Sequence, residues 1–451
     1  MSSPSVVVKP PLSKRVGSAV LWIGLGLAAS QLVRLGSNIV LARLLSPEMY
    51  GLQAMGAVVI AAVVMLSDFG FSQSVVYSPR GDDPAFLDTI WTMQLIRAGV
   101  LCLLMNLAAV ALWTVGRLRP DWLGGSYADP YLPAVIAVLS LVPVAMGVES
   151  TNLARAHRAL SMGQVVRNEV LVQVVVTVVL ILLALRWPSF WLLPAGWVAS
   201  ASGIALLSHV NLPGPKNRLR WEREAAHAAW HFSKWILLSS GLTYLFREGD
   251  RILLGGMLSP TEMGVYAVGA LLVTATRDGI LRLAGLVGMP ALAEIAREQP
   301  QQLRQAYHRC RWPIDIVCLL AAGGLFAAAH RIVGLLYDAR YASAGSVLQV
   351  LSLGLIAHRY TVTDQYLIAT GETQQLFKRG AIQTLVLYVA VPTGFWLGGL
   401  QGALVGIVAA QWAVIPLMIQ FQYRRGLLDW RFELGSLVLL PVGWCLGWLV
   451  A

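Results

Sequence analysis

A chain of 451 residues, 57% of them apolar and only 13% charged, carries roughly half the charged share of an ordinary soluble domain. A soluble protein of this length would divide into two or three domains with charged surfaces, and there is too little charge here to coat them. The formal net charge of +11 sits in alternate loops and forms no basic face of a soluble module, which excludes nucleic-acid binding as a reading.

Apolar segments of about 18 to 25 residues, the length that crosses a bilayer core as a helix, recur along the chain. A polar tail, 1–16, comes first. The apolar stretch after it is too long for a signal-peptide core and has no small-residue cleavage site, so it reads as the first membrane helix. Six helices are expected over 17–41, 52–77, 88–113, 132–154, 169–185 and 190–210, an N-lobe of residues 17–210. The basic connection 211–228 follows. Six more are expected over 229–257, 265–290, 312–329, 344–369, 380–397 and 403–423, a C-lobe of residues 229–424. In the tail 425–451 the apolar stretch 434–451 is barely long enough to span as a thirteenth.

Lys and Arg gather in every second loop: Lys9/Lys14/Arg15, Arg155/Arg158/Arg167, Lys216/Arg218/Arg220/Arg223, Arg297/Arg304/Arg309 and Arg424/Arg425/Arg431. Roughly 20 basic residues fall on one side and about 6 on the other, the positive-inside pattern, which puts the N-terminus in the cytoplasm. The four cysteines, Cys102, Cys310, Cys318 and Cys445, make no CxxC pair and read as small packing residues.

The two lobes repeat. Leu45-Ser46-Pro47, Gly51, Ala54 and Gly56-Ala57 recur at constant offset as Leu258-Ser259-Pro260, Gly264, Ala267 and Gly269-Ala270. Each copy lies between the first and second helix of its half. Ser-Pro starts a helix because proline fixes φ and needs no donor at the first position, and the glycine allows close packing. The motif therefore reads as a fold marker. Six helices per repeat keep both copies in one orientation, with any site between them at mid-membrane. The expected fold class is all-α: a polytopic membrane protein of twelve transmembrane helices, or thirteen, in two pseudo-twofold-related six-helix bundles around a central cavity.

Leu41-Ala-Arg-Leu-Leu-Ser-Pro-Glu48 followed by Tyr50-Gly51, then Ser67-Asp-Phe-Gly-Phe71, resembles the start of a bacterial polysaccharide flippase. Arg247-Glu-Gly-Asp-Arg251, Leu254-Gly255, Gly264, Tyr266-Ala267, Ala369-Thr-Gly-Glu372 and Lys378-Arg379 resemble the matching second-half stretches. The family is the oligosaccharide-flippase branch of the multidrug/oligosaccharidyl-lipid/polysaccharide exporter superfamily. The resemblance implies a multi-pass bacterial inner-membrane protein that flips an undecaprenyl-diphosphate-linked oligosaccharide to the periplasmic leaflet by alternating access. It implies coupling to an ion gradient of H+ or Na+, membrane lipid around the protein, and polysaccharide polymerase and export proteins as candidate partners. A small-molecule or multidrug antiporter of the same superfamily is the alternative.

Eight basic residues fall inside the expected spans. At roughly 3 kcal/mol each on insertion scales they cannot all face lipid, so they face a polar cavity, meet carboxylates or snorkel. Gln31, Arg34 and Asn38 share one face of the first helix, as do Tyr244, Arg247 and Arg251 of the seventh. Asp278 and Arg282 share a face of the eighth, with Arg277 beside it. The expected cationic cavity lining is Arg34, Arg247, Arg251, Arg277 and Arg282, with Gln31, Asn38 and Tyr244 as polar neighbours. The same spacing permits structural ion pairs: Arg247 with Asp250, Glu248 with Arg251, Arg277 with Asp278. Asp364, Asp278 and Asp68 are the candidates for carrying the coupling ion, since a buried carboxylate with a raised pKa holds a proton. No metal-ligand, hydrolase or phosphate-loop signature occurs; no enzyme, metal or cofactor is expected.

Overall fold

In a computed structural model of the chain, residues 12–67, 75, 80–159, 161–224, 241, 244, 245, 247–285, 292, 295 and 300–450 are described, and all regular structure among them is helical. By their contacts the residues fall into two units: Met1–Leu45, Val59–Leu118 and Pro130–Leu242 in unit 1, Ser46–Val58, Arg119–Asp129 and Thr243–Ala451 in unit 2.

Unit 1 is built from α1 (Leu12–Leu44), the later turns of α2 (Pro47–Ser67), α3 (Pro84–Leu118), α4 (Leu132–Leu139), α5 (Leu141–Val148), α6 (Asn152–Arg158), α7 (Met162–Arg186) and α8 (Leu192–Val210). α3 packs on α4 and α5, α5 on α8, and α7 on both α1 and α8. Leu103, Leu104 and Leu107 of α3 and Leu182 and Leu185 of α7 stay exposed. Such apolar outer faces are foreign to water but suit a helix whose backbone is satisfied internally in lipid. The span expected over 132–154 is broken: its apolar part turns by 60° into α6. Glu149 leaves helical geometry, with φ −50° and ψ 140°. The next N–H, of Ser150, goes to Ser208 Oγ on α8 at 2.9 Å, so the kink has a hydrogen-bonding cause.

The connection after α8 begins as a strap fixed to unit 1. Asn217 accepts from Ser150 Oγ (2.8 Å) and donates to Thr151 Oγ1 (2.6 Å). The backbone N–H groups of Arg218, Arg220 and Glu222, alternate residues of an extended chain, donate to Asp88, Thr92 and Thr89 in the first turns of α3. Arg80 closes the far end with bonds of 2.7 and 3.0 Å to Glu222 and of 3.0 and 2.7 Å to Asp83. Hydrogen bonds from that guanidinium hold both carboxyls below their usual range. A carboxyl with a lowered folded-state pKa supports the structure above its ordinary value, about 4, and that support is lost as pH falls through the lowered one. Acidification through and well below the ordinary carboxylate range is expected to release the strap: amide exchange over 216–224, corrected for intrinsic rates, should accelerate while α3 stays protected. Unchanged protection of the strap across that range would refute the assignment.

Unit 2 opens on the repeated turn. Ser259 caps α10 (Pro260–Leu283) in a full capping box: its Oγ accepts from Glu262 N, and Glu262 Oε2 accepts from Ser259 N at 2.9 Å. In the first copy Ser46 Oγ accepts from Met49 N at 3.4 Å, but Met49 stands where the box needs a glutamate. The copies meet reciprocally: a Cβ on Gly51 would land on the Pro260 carbonyl, and one on Gly264 on the Pro47 carbonyl. The obstruction is backbone. Gly51→Ala is therefore expected to destabilise by about 1–3 kcal/mol, read as a fall in melting temperature against Gly36→Ala, whose Cβ would meet nothing within 4 Å. Equal melting of the two variants would contradict this close contact.

The rest of unit 2 is α9 (Gly249–Gly255), α11 (Leu303–Leu336), α12 (Ala344–Ser352), a 3-10 stretch (Leu353–Tyr360), α13 (Thr361–Ala369), α14 (Thr373–Trp412), α15 (Ile415–Arg424), α16 (Trp430–Ser436) and α17 (Leu439–Val450). α14 is a hairpin: Gly398 and Gly399 leave helical geometry, Gly399 at φ +56°. The close approaches of Gly394 with Gly402 and of Gly406 with Ala390 are centred on residue 398, as two antiparallel arms require. The tail is also settled by glycines. A Cβ on Gly443 would meet the Leu320 carbonyl, and one on Gly447 the Gly324 carbonyl, a GxxxG face that docks α17 on α11. Among the described residues eight helices are long and apolar enough to cross a membrane, nine with the bent pair of unit 1. Trp430–Leu449 is one of them, and Gln374–Arg424 contains the hairpin. The helices expected over 52–77, 229–257 and 265–290 run partly outside the described residues.

Candidate functional site

A cavity of about 270 Å³ lies within unit 2. α9 and the residues before it bring Arg247 and Asp250, α10 brings Arg277 and Asp278, the 3-10 stretch brings His358, and the two arms of α14 bring Gln383 and Gln411. A smaller chamber of about 40 Å³ shares Asp250, Arg277, His358 and Gln411 and adds Tyr266 and Thr274. Leu281, Leu387, Ile407 and Ala410 form the apolar wall. Charged and amide groups on an apolar wall are the usual make-up of a ligand site.

The charges differ in how far they are committed. Asp250 accepts from the buried Tyr266 hydroxyl. Arg277 reaches its neighbour Asp278 at 3.3 and 3.4 Å, a long contact for a charged pair. Arg247 makes no hydrogen bond or ion pair among the described residues, and its side chain is exposed. Among the described residues the lining thus carries two guanidiniums and two carboxylates. Arg251 is not in the lining; it pairs with Glu248 at 2.8 Å. Arg282 is half-buried near the end of α10 and does not line the cavity. Tyr244 donates to the Val58 carbonyl at 3.1 Å. In unit 1, Gln31, Arg34 and Asn38 lie on successive turns of α1, with Arg34 exposed and the other two half-buried. Asp364 is closed by an ion pair with Arg379, both largely buried. Asp68 lies outside the described residues.

Sequence reasoning missed all three amide and imidazole groups of the lining: Gln383 and Gln411, which the folding of α14 on itself brings together, and His358, which the 3-10 stretch exposes. A 3-10 helix has about three residues per turn, and within it the adjacent His358 and Arg359 part: His358 faces the cavity while Arg359 enters a buried cluster. That cluster joins Arg311 and Asp315 of α11, Arg359, and Glu433 of α16, none more than 6% exposed. Arg311 Nη2 stands 2.5 Å from Glu433, and Arg359 Nη2 stands 2.9 Å from Asp315 and 3.1 Å from Glu433. Gln422, Ser436 and the Tyr360 hydroxyl add hydrogen bonds. Two positive and two negative groups with fixed partners make this a structural clasp.

The sequence profile of the polysaccharide biosynthesis protein family matches residues 40–346, well over half of the chain. The chain belongs to that family. This family member is 23% identical over 448 residues to the lipopolysaccharide biosynthesis protein WzxC of Escherichia coli (strain K12), across 95% of this chain and 85% of that protein. Its fold is similar to the inward-facing conformation of a multidrug resistance MATE family transporter of the MOP superfamily, with a TM-score of 0.67 and 14% identity over 90% of this chain and 98% of that chain. It is also similar to the lipid II flippase MurJ in an inward closed conformation, with a TM-score of 0.66 and 11% identity over 96% and 97% of the two chains. At these identities the structures speak for the fold alone. The all-α, multi-span membrane class read from the sequence stands.

Proposed function

We propose that this family member flips a lipid-linked oligosaccharide, carried on undecaprenyl diphosphate, from the cytoplasmic to the outer leaflet of the bacterial inner membrane, for surface polysaccharide synthesis. The observation that carries the reading is Arg247, a guanidinium with no ion pair among the described residues, at the cavity of unit 2 beside the loosely held Arg277. Guanidinium forks match diphosphate oxygens two at a time, and the amides of Gln383 and Gln411 offer both donors and acceptors to sugar hydroxyls. The roles of the relatives support it: WzxC acts in lipopolysaccharide biosynthesis, and MurJ is a lipid II flippase.

Alternating access follows from the repeat, with the N-lobe 17–210 and the C-lobe 229–424 as the moving halves and the N-terminus in the cytoplasm. An H+ or Na+ gradient drives it. Asp278 is the better placed coupling group, since it lines the cavity, whereas Asp364 is closed by Arg379. A polymerase acts on the product. The decisive test is a strain lacking the gene, with lipid-linked repeat units assayed by a membrane-impermeant glycan-modifying reagent on spheroplasts. Repeat units should accumulate out of the reagent's reach and become accessible when the gene is restored. Equal accessibility with and without the gene would end the reading.

A further inference from the structure

The strap over 216–224 is held to unit 1 largely by its backbone, and most of its side chains point outward. Lys216, Arg218, Arg220 and Arg223 are exposed, and none of these side chains makes a hydrogen bond or ion pair among the described residues. Arg220 has two carboxylates in electrostatic range, Asp83 and Glu222, but both already accept from Arg80. Leu219 and Trp221 are 73% and 55% exposed. An extended chain sends alternate side chains to opposite faces, so these two apolar groups leave from one face and Arg218 and Arg220 from the other.

The place at which α3 holds the strap fixes the depth of these groups. Thr89 and Thr92, which accept strap N–H groups, begin a stripe at helical spacing that continues through Ile96, Val100, Leu103 and Leu107. The four apolar members are exposed, and α3 is among the helices long and apolar enough to span a membrane, so this stripe is its lipid-facing side. Ile96 follows Thr92 by one helical turn, about 6 Å along the axis. The headgroup layer is about 5–8 Å deep on each side of the hydrocarbon. The strap therefore lies at headgroup depth, on the side of α3 that faces lipid.

Tryptophan and leucine side chains favour that layer, and each lysine or arginine near an anionic surface strengthens binding about fivefold. Basic charge beside exposed apolar groups is the two-part signal that holds a segment on a membrane surface. The strap carries four basic side chains against two acidic ones, Glu222 and Glu224, and Glu222 is turned to Arg80. We propose that the strap is a lipid-headgroup contact: Leu219 and Trp221 seat in the interface beside α3, and Lys216, Arg218, Arg220 and Arg223 hold anionic phospholipid, which ties unit 1 to one leaflet. In the orientation proposed above that leaflet is the cytoplasmic one. The contact rests on the membrane class of the chain and not on Arg247, its cavity or the flipping assignment.

The test uses the full chain with its four cysteines replaced by alanine, reconstituted in nanodiscs of phosphatidylcholine and phosphatidylglycerol in equal amounts. A single new cysteine, Leu219→Cys, carries an environment-sensitive fluorophore, and either the neutral or the anionic lipid is brominated near the glycerol end of its chains. Bulk composition is the same in both samples, so the ratio of the two quenching efficiencies reads the local enrichment of phosphatidylglycerol. At position 219 brominated phosphatidylglycerol should quench about fivefold more strongly than brominated phosphatidylcholine. At Val100→Cys, in the lipid-facing stripe, the two should quench alike. Arg218→Gln with Arg220→Gln and Arg223→Gln, all at exposed positions, should bring the ratio at 219 to the value at 100. Salt at about 1 M should do the same without any substitution, because it shortens the screening length to about 3 Å. A label at 219 that neither brominated lipid quenches puts the strap in water and overturns the proposal. So does equal quenching by the two lipids at 219, or a preference that survives the triple variant or the salt. If the triple variant fails to fold, the salt comparison decides alone.

Discussion

Glu433→Ala is expected to cost this protein its folded C-terminal unit. The substitution leaves Arg311 and Arg359, both almost wholly buried, sharing Asp315 as their one carboxylate among the described residues. Breaking a buried ion pair from one side costs roughly 3–5 kcal/mol, because the remaining charge keeps its desolvation penalty without its partner. That is a large part of the stability of a typical domain. The same residue holds α16 against α11 through the salt bridge to Arg311, and α17 follows directly, so the glycine face of Gly443 and Gly447 loses its anchor. Purified variant should melt far below the parent and run as aggregate in size exclusion. Glu433→Gln, which keeps an acceptor for Tyr360 and the guanidiniums, should fall between the two. Arg431→Gln, at an exposed position two residues away, is the control and should melt with the parent. A Glu433→Ala protein that melts with the parent would show that the clasp bears no weight.

How far the sequence foretold this structure depends on what each feature rests on. The long apolar helices were legible because membrane thickness sets one length scale and the backbone must be satisfied within each segment. The repeated turn was legible too: Ser46-Pro47 and Ser259-Pro260 name their own caps, and Gly51 and Gly264 prove to be the residues at which the copies touch. The hairpin at Gly398-Gly399 fell in the gap between two expected spans. The candidate site was read less well. Periodicity put Arg247, Arg251, Arg277 and Arg282 on polar faces but could not say which face looks into a cavity and which into a local pair. Arg251 satisfies itself with Glu248 three residues before it. The 3-10 stretch that turns His358 to the cavity and Arg359 away from it depends on packing against α11 and α14, which propensity does not encode. The clasp had a local signal, Arg311 and Asp315 four residues apart, but its other half, Glu433, lies more than a hundred residues away.

Arg247→Ala is expected to remove transport and leave the protein intact. The side chain is exposed and has no ion pair among the described residues, so its loss strands no buried charge and should leave the melting temperature within about 0.5 kcal/mol of the parent's stability. If the guanidinium grips a phosphate, losing a charged hydrogen-bonding group should cost about 1.5–3 kcal/mol of binding, a tenfold to hundredfold fall in transport at limiting substrate. Arg247→Lys keeps the charge and loses the planar fork, and should retain an intermediate rate. Arg251→Ala is the contrast: Glu248, 12% exposed at its side chain, would be left without its cation, so the amount of folded protein should drop while transport per folded molecule holds. The assay is repeat-unit translocation in proteoliposomes, normalised to folded protein. Arg247→Ala transporting at the parental rate would remove the phosphate grip from this cavity. A fall in the yield of Arg247→Ala matching that of Arg251→Ala would make both residues structural.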